Sequence, residues 1–249
     1  VTGTVETKAN ISDLAITVDS GKSLTAASGT ISGSTVTNNG SLTLNGATIS
    51  DSVTNASTGT YTITTGTQSG DVTNNGILLV NGGTLSGALT NAATGKTLVA
   101  DSSSLGNGTK AVTNNGLMVL KAGNLSRAIA NNNSDLYIDG GTLAAAISGT
   151  GTVYIGMEHD KISGSGKETA EADVTANAKI TASAINIGTD DKLTIAANYV
   201  GGTVYNAGTL TLTGTGTLAQ TIYGTTATAV DGTTVIDGTI TSNNLNNIC

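Results

Sequence analysis

The residues best placed by type to do chemistry are Glu158, His159 and Asp160, three adjacent groups able to ligate a metal or carry a proton. A metal site draws its ligands from separated stretches of chain. With no second ligand cluster, the three read as part of a charged, solvated loop. Glycoside hydrolysis would need two carboxylates facing one bond, with aromatic platforms for the sugar. Asp51 with Asp71, and Asp135 with Asp139, are the pairs that could become neighbours, yet the sequence has no Trp and its sole Arg is Arg127. Solvated turns explain those aspartates. Ser and Thr are abundant, but the single His159 stands in the irregular stretch, so no nucleophile, base and orienting acid come together. The Gly-Gly-Thr triplets at Gly82, Gly140 and Gly201 lack the Gly-x-Asp of calcium-binding nonapeptides and the Lys of a phosphate loop. The sequence therefore predicts no catalytic residue, no cofactor and no metal.

Any site would have to be mounted on a motif clearest from Val36-Thr37-Asn38-Asn39-Gly40 to Ser50, which returns from Val72 to Ser86 and from Val112 to Ser126. Six, eight and thirteen places after the first Val stand Leu42, Leu44 and Ile49, then Leu78, Val80 and Leu85, then Met118, Leu120 and Leu125. Apolar residues two apart mark a strand with one buried face, whereas a helix would turn them to different sides. One such unit cannot bury its own apolar row; stacked copies can. Starts fall at Ile16, Val36, Val53, Val72, Leu89, Val112, Ile129, Ile147, Val174, Ile187, Val204, Ile222 and Ile240, about nineteen residues apart. The expected fold is all-β: a single-stranded parallel β-helix, or β-solenoid, of about 12–13 coils. The preference of parallel crossovers makes it right-handed.

Composition agrees. In 249 residues only 2% are aromatic and 11% charged, with no Phe, Trp or Pro, which suits a narrow core of Val, Ile, Leu, Ala and Thr better than an ordinary globule. A net charge of -7 without a basic stripe argues against nucleic acid. No stretch approaches the length of a membrane span and no signal peptide opens the chain, so membrane insertion of this segment is not expected. Cys249, the one cysteine, cannot form an internal disulfide.

Residues 1–19 read as an irregular N-terminal coil or cap, 16–240 as the solenoid, and 241–249 as a tail. Excursions are expected at 98–110 and at 156–173, where charged residues collect. Two places after the starts runs a column of Asn38, Asn55, Asn74, Asn91, Asn114 and Asn131, with Asn206 later. Stacked amides can bond along such a column, and Asn suits a tight corner. A structural Asn ladder accounts for them without a ligand. Seven places after the starts, the outward column includes Leu79, Leu98, Val119, Tyr137 and Tyr154, widened by Ile77 and Leu117. At ~4.8 Å per coil this forms an apolar stripe. It predicts a lateral contact with a second copy or with a host or matrix surface, unless the 156–173 excursion folds over it.

The units Val36-Thr37-Asn38-Asn39-Gly40-Ser41-Leu42-Thr43-Leu44, Gly82-Gly83-Thr84-Leu85-Ser86-Gly87-Ala88-Leu89 and Val204-Tyr205-Asn206-Ala207-Gly208-Thr209-Leu210-Thr211-Leu212 resemble the repeats of AIDA-type autotransporter passenger domains over about Ile16 to Ile240. That resemblance implies a passenger of type V secretion, displayed on or released from a Gram-negative cell and acting in adhesion, autoaggregation or biofilm formation. The membrane barrel of that family is not in this sequence. The expectation is a secreted or cell-surface, non-enzymatic adhesive solenoid. The alternatives are a filament or matrix subunit built by end-to-end stacking, and, further off, a polysaccharide-degrading enzyme or an ice-binding protein. The last would need paired Thr rows such as Thr60-Tyr61-Thr62 on successive coils.

Overall fold

A computed structural model describes residues 1–106, 108–157, 159–160, 162, 167–168, 171–224 and 232–242, with the backbone alone at 159–160, 167–168 and 242. It is an all-β chain whose parallel strands stack as a β-solenoid of about 11 turns. Contacts divide it into two compact units, the first comprising Val1–Met118 joined by Ile162, the second the described residues from Val119 onward.

In the first unit each coil contributes three short strand segments, and each segment stacks on its counterpart one coil away. The first apolar column runs Ile16, Val36, Val53, Val72, Leu89, Val112. The second holds Leu24, Leu42, Tyr61, Leu78 and Thr97, beside Ala26, Leu44, Ile63, Val80 and Val99. The third holds Ile31, Ile49, Gln68 and Leu85. Nearly every member is fully buried, so alternation along each strand sends these side chains inward and their neighbours out. The spacing of six, eight and thirteen is thus the distance between three faces of one coil. Residues 1–19, expected as an irregular cap, form three strands in register with the next coil: Thr4–Thr7 on Ser23–Ala26, Ile11–Ser12 on Ile31–Ser32, Ile16–Val18 on Val36–Asn38. Val5 and Leu14 remain exposed there, beside an apolar hollow.

Three members of these columns carry polar atoms, Tyr61, Gln68 and Thr97. Tyr61 Oη donates to Gln68 Oε1 at 2.7 Å, and Gln68 Nε2 donates to the carbonyls of Asp51 and Gly70 at 3.0 and 2.9 Å. Both side chains are fully buried, and burial drives the Tyr61 phenol far above its ordinary value. The network satisfies each of these groups, which is what a buried polar pair requires.

The second unit uses the same plan with a different register. Its first column is Ile129, Ile147, Ile180, Val200, and its second is Leu136, Val153, Ile185, Val204, Ile222. A separate sheet stacks Gly141, Val174, Leu193, Leu210 and Thr234. Val174, Ile187, Val204 and Ile222 therefore do not continue the column of Ile147 as the spacing predicts. All three faces share the strand period, so an offset alone does not say which face an apolar residue serves. Once the excursion after Gly156 intervenes, the count slips from one face to another. Within that excursion His159–Asp160 pair antiparallel with Lys167–Glu168, and Ile162 is buried. The other expected excursion holds a short 3-10 turn, Ser102–Leu105, opened by the Asp101 side chain accepting from Ser103 N–H. No described helix is long and apolar enough to cross a membrane.

Candidate interaction surface

The Asn column lies at the first corner of each coil in the first unit. Each amide is fully buried and donates to the next: Asn38 Nδ2 to Asn55 Oδ1 at 2.7 Å, Asn55 to Asn74 at 2.7 Å, Asn74 to Asn91 at 2.9 Å, Asn91 to Asn114 at 2.8 Å. Each Nδ2 also reaches a strand carbonyl of the neighbouring coil: Thr60, Ile77, Lys96 and Leu117. Asn131, in the second unit, donates to the carbonyls of Ser134 and Thr152. Asn206 leaves the series: it stacks on Ile187, which stacks on Ile155. The amides hold corners closed and present no row to a ligand.

Asp51 and Asp71 serve adjoining corners. Asp51 Oδ1 accepts from Ser34 N–H at 3.0 Å, and Asp71 Oδ1 from Ala88 N–H at 2.9 Å, with Lys110 beside Asp71 at 3.5 Å. In the second unit Asp135 is exposed, whereas Asp139 is buried and faces Lys121 at 3.5 Å. Asp191, unremarked by the spacing, is buried nearby and accepts from Ala172 N–H at 2.7 Å. Burial first, then the charges of Asp139, Asp190 and Glu171, push its carboxyl up to about 6. Gly156 stands against this carboxylate with φ +62°, and a Cβ there would lie 2.2 Å from it. Arg127 is buried as well. Among the described residues no three His, Cys, Asp or Glu groups converge to hold a metal. The side chains of Glu158, His159 and Asp160 lie outside the described residues, as does Cys249.

The outward columns carry the surface character. In the first unit Thr43, Thr62, Leu79 and Leu98 are in register and half-buried, flanked by half-buried Ile77; Leu117 is half-buried too. Val119, expected on this stripe, is fully buried. A further outward column is made wholly of threonine: Thr17, Thr37, Thr54, Thr73, Thr90 and Thr113. Its Val-Thr-Asn signature is plain in the sequence, the threonine standing one place after each start.

The second unit presents a column of Tyr137, Tyr154, Asn186, Tyr205 and Tyr223. Tyr137 and Tyr154 stack at 4.5 Å between centroids with planes 10° apart, and Tyr205 and Tyr223 at 5.8 Å and 26°. Parallel in-register strands bring identical rings to stacking distance, worth about 0.5–1.5 kcal/mol per pair beyond burial. Burial and the nearby Asp135 charge raise the Tyr154 phenol. Tyr205, Tyr223 and Asn186 were not expected here, because a count that makes Val204 a start places Tyr205 on another face. Tyr154, Tyr205 and Tyr223 each follow an apolar member of the buried column, Val153, Val204 and Ile222.

These columns and their stacking define a β-solenoid repeat protein. Comparison with protein families, characterised proteins and solved structures finds no match.

Proposed function

We propose that the chain is a non-enzymatic structural and adhesive module that works outside the cell, making lateral contacts with a second copy or with a host or matrix surface. The outward column of Leu79 and Leu98, in register and half-buried beside Ile77, carries this reading. Large aliphatic groups on the outward side of successive strands gain most when a partner covers them. The tyrosines of the second unit add ring edges and phenols, the groups favoured in contact surfaces. The repeat likeness to AIDA-type passengers supports display on a bacterial surface.

The test is sedimentation velocity on the double variants Leu79→Ser/Leu98→Ser and Tyr137→Ser/Tyr154→Ser. Both replace outward side chains, so circular dichroism stays that of the parent. Self-association weakens in at least one of them, and association unchanged in both refutes lateral contact between copies through these columns.

A further inference from the structure

The tyrosine column is interrupted once, and a hollow opens at the interruption. Tyr154 and Tyr205 are the register partners of Asn186 on the coils to either side. Tyr154 is stacked on Tyr137 and Tyr205 on Tyr223, so each pair has used the face turned away from Asn186. At Asn186 the smaller side chain leaves about 100 Å³ of space walled by Met157, Asn186, Ile187, Tyr205 and Ala207. The Asn186 amide is half-buried and hydrogen-bonds to no side chain or backbone group among the described residues.

The chemistry of these walls selects an occupant. Tyr205 offers a ring face, Met157 a polarisable thioether that favours aromatic contacts, and Ala207 a methyl group, while the Ile187 side chain turns into the core. Among these side chains only the Asn186 amide and the Tyr205 phenol can hydrogen-bond. A pyranose would bring several hydroxyls that these walls leave unpaired, at a cost for each. A flat ring with one polar substituent leaves none. The hollow is smaller than the apolar cavity of ~150 Å³ that encloses benzene and opens to solvent, so a ring enters it in part and keeps its outer edge in water.

We infer that the hollow at Asn186 binds one small planar aromatic molecule, its ring against Tyr205 and Met157 and its polar substituent on the Asn186 amide. The inference stands apart from the adhesive reading, since a small-ligand site and a lateral contact can each exist without the other.

The probe is p-nitrophenol, titrated into the full chain and followed by saturation-transfer NMR and calorimetry. Saturable one-site binding with a dissociation constant on the order of 1 mM is expected for so small a ligand. Asn186→Tyr supplies the missing ring from the protein itself and weakens binding about tenfold or more; Tyr205→Leu does the same. Met157→Ala, at a corner beyond the strand, weakens it about threefold and keeps the question answerable should Asn186→Tyr fail to fold. Leu79→Ser, in the other unit, leaves it unchanged. Binding by Asn186→Tyr within twofold of the parent, absence of saturation, or preferential binding of methyl α-glucopyranoside overturns the inference.

Discussion

Replacing Asn74 by Ala tests the amide ladder at its middle. Asn74 accepts from Asn55 at 2.7 Å and donates to Asn91 at 2.9 Å, to the Lys96 carbonyl at 3.1 Å and to Thr97 Oγ1 at 3.2 Å. A typical hydrogen bond contributes about 1 kcal/mol net, and a buried group left without its partner costs about 1–3 kcal/mol. Asn91 Oδ1 keeps its bond from Thr97 and Asn55 Nδ2 keeps those to Gly59 and Ile77, which limits the orphaning chiefly to the Lys96 carbonyl. Two severed links and one orphan give about 3–5 kcal/mol. Asn38→Ala, at the end, severs one link, leaves the Thr60 carbonyl without its amide donor and frees the half-buried Gly40 N–H, and so costs about 2–4 kcal/mol by the same reckoning, one link less than Asn74. Asn74→Leu restores volume but no bonds, and is expected to do no better than Ala. Amide hydrogen exchange reads the effect locally. The Ile77 and Lys96 N–H groups, bonded to Gly59 O at 3.0 Å and Gly76 O at 2.8 Å, exchange about 100-fold faster in Asn74→Ala. Equal costs at Asn38 and Asn74, or a loss under about 1 kcal/mol at Asn74, would refute the reasoning and leave each Asn acting through its own turn alone.

Two further outcomes follow from buried groups. Tyr61→Phe leaves Gln68 Oε1 without its donor in the core and lowers stability by about 1–3 kcal/mol in urea unfolding; an unchanged midpoint would show that the phenol contributes nothing. Asp191 has its folded carboxyl near 6 against an ordinary 3.8, so between those values the folded chain holds a proton that the unfolded chain has released. Its contribution to stability therefore falls as pH rises through that window and levels off above about 6. Asp191→Asn removes this part of the slope, and urea midpoints at pH 4 and 7 that differ equally in parent and variant would contradict it.

The first unit was legible almost coil by coil because its insertions fall at corners: Val53 to Tyr61 is two residues longer than Val36 to Leu42, yet Tyr61 still stacks on Leu42. The second unit was not, because Val174 and Val204 satisfy the same alternation on faces other than the one their spacing implied. Gln68 could not have been placed from type alone, since it occupies a column of Ile and Leu and is admitted by Tyr61 Oη and the Asp51 and Gly70 carbonyls together. Val119 looked outward by count and is buried. The tyrosine column was half visible: Tyr137 and Tyr154 by offset, Tyr205 and Tyr223 only once register was known.

The four amide links of the first unit share one direction, each Nδ2 pointing to the oxygen of the next residue in sequence. Turning a single amide over would set oxygen against oxygen on one side and nitrogen against nitrogen on the other. The row can therefore reverse only as a whole. Gly40 N–H entering Asn38 Oδ1 at one end, and Gly116 N–H entering Asn114 Oδ1 at the other, fix which of the two senses is taken. Their dipoles add head to tail, so the interior of this unit carries an electrical polarity that its nearly uncharged composition does not announce.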